Sequence, residues 1–147
     1  MTDLTPAFEP ISISDMHPGD NIAIARKYCI GYSANIAVST GYVFKTVKRT
    51  TPKKTRVQFT DDTEFTSKNM FYLVTDEIIE EERRAMKRYK TAKFIAQYLT
   101  ANNHSTRLAE LTQIARYIRK IDDKKLEEMY ETFDKCRKIC DNIIAES

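Results

Sequence analysis

The spacing of apolar residues changes once along this chain, near residue 75, from the alternation of strands to the three- and four-residue recurrence of helices. A chain patterned in that way segregates its strands from its helices. The expected class is therefore α+β: a small antiparallel β-barrel or curled sheet, followed by about three α-helices packed as a small bundle. With 147 residues there is room for one compact unit, or a small β module with a helical partner, but not for a large multidomain enzyme.

The first 17 residues hold Pro6 and Pro10 and no sustained period, and read as an irregular arm laid over the core through Phe8, Ile11 and Ile13. A barrel-like domain is expected over 18–75. It opens with a turn at Pro18-Gly19-Asp20, where proline fixes φ, glycine admits positive φ and the Asp side chain closes a local hydrogen bond. Ile22 and Ile24 then alternate toward Tyr28 and Ile30, a strand that Gly31 ends. A second β stretch covers about 36–49, with Val43 and Val47 on one face and Phe44, Thr46 and Lys48 on the other. Strands at 56–59 and 63–66 are joined through Asp61-Asp62, and a short apolar segment at 70–74 completes the set. Closure into a barrel would hide the sheet edges.

Residues 76–147 form the helical domain, with helices expected at about 76–100, 105–120 and 123–145. Thr75 or Asp76 caps the first, whose buried stripe is Ile79, Met86, Tyr89, Ala92 or Ala96, and Leu99, up to a break at Asn102-Asn103. Ser105 or Thr106 caps the second, which aligns Leu108, Leu111, Ala115 and Ile118. Asp122 caps the third, whose stripe of Leu126, Met129, Tyr130, Phe133, Cys136, Cys140 and Ile143 is the clearest in the chain. Short links favour antiparallel neighbours, and self-association through the C-terminal helices is a further expectation.

Several classes of function are disfavoured. No apolar run approaches the roughly 18–20 residues that span a bilayer, and the N-terminus has neither a basic nor an apolar leader region. Three cysteines do not make a secreted disulfide framework, so the expected setting is a cytoplasm, the host's if the chain is viral, with no membrane partner. The two histidines, His17 beside a proline turn and His104 at a helix boundary, have no ligand or acidic partner at useful spacing. With three glycines and no nucleophile, phosphate-loop or dinucleotide motif, neither an enzyme nor a bound cofactor is expected. Cys136 and Cys140, one helical turn apart, supply only two of the four ligands a closed zinc site needs. Their place on the apolar stripe makes core packing the expectation, and no metal is assigned.

Charge carries the positive signal. The net charge is +3, but residues 20–75 hold nine basic against four acidic side chains. Lys45, Lys48, Arg49, Lys53, Lys54 and Arg56 are six basic residues within twelve positions, with no acidic residue among them. On a hairpin they concentrate positive potential at one end, as a phosphate backbone requires, with Tyr42 and Phe44 near enough to offer a stacking surface. A solubilising loop whose lysines protect a sheet edge explains the same residues. Lys87 and Arg88, within a second basic set on the first helix, would extend the footprint; ordinary pairing with Glu80 to Glu82 is the other reading of that set. A helix-turn-helix over 105–135 is disfavoured, because Glu127, Glu128, Glu131 and Asp134 would repel a duplex.

Pro18-Gly19-Asp20-Asn21-Ile22, the run 43–50 and the run 56–65 together resemble Src-homology-type or KOW-like small β-barrels, and the cadence is similar to that of small bacteriophage accessory proteins. The resemblance covers about 50 residues and departs from the pattern where Asp61-Asp62 replaces Asp-Gly. Two functional expectations follow from charge, missing catalytic groups and resemblance together. One is a non-enzymatic module contacting nucleic acid. The other is a phage-type inhibitor or adaptor that binds a host protein complex, either a nucleic-acid enzyme or a defence assembly.

Overall fold

The structure is a computed structural model and describes residues 8–31, 35–103 and 108–146, with the side chains of 99–103 excepted. Expected features at His104, Ser105, Thr106 and the Leu99 side chain lie outside the described residues. Five strands, β1 (Asn21–Ile30), β2 (Ile36–Thr50), β3 (Arg56–Phe59), β4 (Glu64–Thr66) and β5 (Phe71–Leu73), precede three helices, α1 (Asp76–Asn103), α2 (Leu108–Lys120) and α3 (Asp123–Glu146). The strands form one antiparallel sheet in the order β4-β3-β2-β1-β5.

The α+β class is as expected, but the barrel alternative is not realised, because the sheet does not close. Both edge strands are only three residues long, which leaves little backbone to bond across a seam. The outer side of β5 is instead met by the arm, whose Ile11 N–H donates to the Phe71 carbonyl at 2.8 Å.

Contacts divide the chain into two compact units, one from Leu4–Arg26 and Thr40–Arg83, the other from Lys27–Ser39 and Arg84–Ser147. By residue range β1, β2 and α1 each contribute to both, so the change of period at 75 falls inside the first unit.

In the first unit the sheet has a core on each face. Ile22 and Ile24, with Val47, Val57, Phe59 and Phe71, meet Ile13 and Met16 of the arm, which makes a short 3₁₀ turn at Ile13–Asp15. On the opposite face Ala23, Tyr42 and Tyr72 pack with Ile78 from the first turn of α1 and with Phe8. Each of these large side chains, fully buried, contributes roughly 1.5–3 kcal/mol. Gly19, at φ 92°, supports the opening turn; its N–H donates to the Val47 carbonyl at 2.9 Å, and Asp20 accepts from Val47 N–H at 2.9 Å.

The second unit collects Ile30 and Val38 from the β1–β2 hairpin, Ala92 from α1, and Leu111, Ile114, Ala115 and Ile118 from α2, with Met129 of α3 beside them. The helix starts follow their caps. Thr75 Oγ1 accepts from Ile78 N–H at 3.3 Å, and Asp122 Oδ1 accepts from Lys125 N–H at 2.8 Å. Cross-helix contacts advance together along α1 and α3: Arg84 meets Asp123 at 3.1 Å, Lys87 meets Glu127, and the Phe94 and Phe133 rings stack at 4.5 Å. These two helices are therefore parallel neighbours with α2 as the return, which agrees with antiparallel packing of consecutive helices.

Two expected stripes are corrected. In the first half of α1, Ile78 and Ala85 are buried in place of the expected Ile79, which is 43% exposed, and Met86, whereas farther along Ala92 is buried with Tyr89 and Ala96 packed beside it, as expected. In α3 the stripe is buried at Leu126 and half-buried at Met129, Tyr130 and Phe133, but Cys136, Cys140 and Ile143 are exposed. Cys136 and Cys140 are therefore exposed thiols, not core residues. No helix is long and apolar enough to cross a membrane, among the described residues.

The frame of α1 can be tested by truncation. Ile78→Ala is expected to cost about 2–5 kcal/mol in urea unfolding, whereas Ile79→Ala stays within about 0.5 kcal/mol of wild type. Equal losses would place the buried stripe wrongly.

Candidate nucleic-acid interface

The β2–β3 hairpin gathers the basic cluster by two local devices. The first is a bulge. Val47 pairs with Phe59 and Arg49 with Gln58, so Lys48 is an extra residue on β2. Simple alternation would put Arg49 on the buried face of Val47; the bulge resets the phase, leaving Lys48 and Arg49 both exposed. The second is the turn. Thr51 Oγ1 accepts from the N–H groups of Thr55 and Arg56, each at 3.2 Å, while Lys54 N–H donates to the Thr51 carbonyl at 2.9 Å. Lys54 takes the left-handed conformation, φ 58°, that completes the reversal.

The cluster is then sorted by the connection between β3 and β4. Asp62, at φ 66°, stands where the barrel pattern has glycine, and the turn places three carboxylates beside the basic strands. Lys45 bonds Asp61, Lys48 lies 3.4 Å from Asp62, and Arg56 lies 3.5 Å from Glu64. Lys45 also sits over the Phe65 ring at 5.7 Å. The Lys45 ammonium, then the Thr63 hydroxyl and N–H, hold the Asp61 carboxyl well below the usual range, at about 2.

The other three cations of the cluster have no carboxylate partner among the described residues. Arg49 Nε donates to Gln58 Oε1 at 2.7 Å, Lys54 Nζ donates to Thr50 Oγ1 at 2.8 Å, and the Lys53 ammonium makes no bond to the described residues. Arg49, Thr50, Thr51, Pro52, Gln58 and Glu64 line a recess of about 250 Å³.

Two sets of expected site residues are corrected. Tyr42 cannot offer a stacking face, because it is 2% exposed and packed edge-on against Tyr72 at 5.6 Å and Phe8 at 6.2 Å. Burial, reinforced by Tyr72 and Glu81, pushes its phenol up to about 12, so it stays neutral. Phe44, by contrast, is 43% exposed. Lys87 and Arg88 belong to the other unit, where both are turned toward α3. Lys87 bonds Glu127 and overlies Tyr130 at 5.7 Å, and Arg88 lies 4.0 Å from Asp123. Those pairs join α1 to α3 and are not a free cationic track. No family model, curated protein or solved structure matches the chain.

Sequence reasoning weighed the cations of the hairpin without their neighbours. Asp61, Asp62 and Glu64 were visible as an acidic turn, but the antiparallel register that carries them back beside Lys45, Lys48 and Arg56 was the missing signal. Gln58, which orients Arg49, lacked any signal. His17 makes only local contacts, with its N–H donating to Asp20 Oδ2 at 2.8 Å and its ring 3.7 Å from the same atom. Among the described residues no group of three or more metal-ligating side chains occurs.

The depressed Asp61 pKa has a definite sign. Its contribution to stability is fully present above the unfolded value of 3.8 and is lost as pH falls toward about 2. Asp61→Asn should therefore flatten the acid limb of unfolding across that window, measured by circular dichroism. An unchanged limb would show that the Lys45 pair does not form in solution.

Proposed function

We propose that the chain is a non-enzymatic binding module whose β2–β3 hairpin end holds the phosphate backbone of a nucleic acid. The supporting observation is the partition of its cations: Lys45, Lys48 and Arg56 are engaged by carboxylates, whereas Arg49, Lys53 and Lys54 meet only neutral acceptors or none. A cation without a carboxylate partner keeps its field toward solvent, and phosphates that it neutralises release their counterions. Arg49 is held by Gln58 through Nε, which leaves the terminal nitrogens of its guanidinium for a phosphate. Exposed Phe44 on the same strand favours single strands, whose unstacked bases offer a face to cover it.

A second reading has its own support. The paired charges of Lys48 with Asp62 and Arg56 with Glu64 make a mixed-sign surface suited to another protein, as an inhibitor or adaptor acting on a host nucleic-acid enzyme or defence complex would need.

Fluorescence anisotropy with single-stranded and duplex probes separates the two. About three phosphate contacts give a log–log salt slope near −2 on single strands, hence a roughly 20-fold loss of affinity between about 50 and 200 mM salt. The triple variant Arg49→Glu, Lys53→Glu, Lys54→Glu should abolish binding while keeping the wild-type circular dichroism. No binding at low salt, or a triple variant that binds like wild type, rejects the nucleic-acid reading.

A further inference from the structure

The last turns of α3 leave a surface that the cationic hairpin does not explain. Leu126, Met129 and Phe133 repeat at three- and four-residue intervals and are used within the chain, with Phe133 on Phe94. Cys136, Cys140 and Ile143 continue the same repeat beyond that contact and are exposed, and Ile139 and Ile144 widen the apolar face at 59% and 71% exposure.

The charges beside this face are ordered. Lys135, Arg137 and Lys138 precede Cys140, whereas Asp141 and Glu146 follow it. At 3.6 residues per turn, Arg137 and Asp141 fall on one flank of the stripe and Lys135 and Glu146 on the other. Asp134 holds Arg137 at 2.6 Å and Lys138 at 3.1 Å, but Lys135, Asp141 and Glu146 make no ion pair among the described residues.

We propose that the exposed end of α3 pairs with the same segment of a second copy of this chain, antiparallel and crossing near Cys140. A two-fold axis there brings each flank against its own equivalent. Arg137 then meets Asp141 of the second copy, Lys135 meets its Glu146, and both contacts occur twice. A parallel pair in register sets Arg137 beside Lys135 and Asp141 beside Glu146, like against like, so the charges select the antiparallel arrangement. The contact is about three turns long, well short of the roughly 800 Å² per partner of a standard interface, so the dimer dissociates in the micromolar range or above. It is independent of nucleic-acid binding.

Sedimentation equilibrium of the full chain in reducing buffer, from low micromolar to near-millimolar protein, tests this. The apparent mass should rise from 17.1 kDa toward twice that value. Ile139→Lys with Ile143→Lys should remain monomeric with unchanged helix content. Arg137→Glu and Asp141→Lys should each weaken association at least tenfold alone, and an equimolar mixture of the two should recover it, because each supplies the charge the other lacks. A monomeric wild type, self-association by the double isoleucine variant, or a mixture that stays monomeric would overturn the proposal, the first of these also leaving the face to a different protein.

Discussion

Ile22, Ala23 and Ile24 are consecutive in β1 and all buried, which a strand achieves only when both faces of its sheet are covered. The composition of the surrounding elements follows from that demand. On the face of Ile22 and Ile24 the arm supplies Ile13 and Met16, and on the face of Ala23 the first turn of α1 supplies Ile78. Alanine at the central position leaves room for two tyrosine rings, Tyr42 and Tyr72, at 5.6 Å. The backbone N–H of Tyr42 in turn donates to Glu82 Oε1 at 2.9 Å, tying the same turn of sheet to the same stretch of helix. A one-sided sheet would have left Tyr42 free for a ligand; the second core removes it from that role.

The same register that builds the core sorts the charges. The chain returns from β3 through an acidic turn, so a carboxylate arrives beside Lys45, Lys48 and Arg56 as a consequence of strand pairing, not of any ligand. Ion pairs with a solvent-facing carboxylate are weakened by water and salt, and do not by themselves hold the hairpin together. Their larger effect is on the field: half of a six-cation cluster is screened locally, and the remainder is confined to the loop end. The bulge at Lys48 adds to this by turning Arg49 outward, where Gln58 can hold it.

Strand positions, helix positions and caps were legible because each rests on local chemistry. Glycine at a positive φ, Thr75 and Asp122 before their helices, and the alternation around Ile22 all act over a few residues. The arm was legible too, since Ile11 and Ile13 had no other apolar surface to join. Open versus closed sheet was not, because closure depends on how much edge backbone is left to bond, and two three-residue edges do not advertise their length in a pattern of alternation. The start of the α1 stripe was missed by one residue because Ile78 and Ile79 are equally apolar, and only the small Ala85 one heptad on distinguishes the side that approaches closely; from Tyr89 onward the expected residues are the packed ones.

The site was less legible than the fold for a related reason. A run of cations in sequence states charge per length, whereas binding depends on charge per surface after folding has brought up counter-charges. α1 and α3 make the point most directly. Lys87 and Arg88 looked like an extension of the basic footprint, but with Arg84 they meet Asp123 and Glu127, because the spacing of three and four on one helix matches the spacing of four on the other. Parallel packing consumes both sets. The same principle, applied to charges whose counterparts the chain does not supply, identifies what is left over: Arg49, Lys53 and Lys54 at the hairpin, and Lys135, Asp141 and Glu146 on α3. The first set has one sign; the second has both, with Lys135 and Glu146 in an order that reversal of the helix complements.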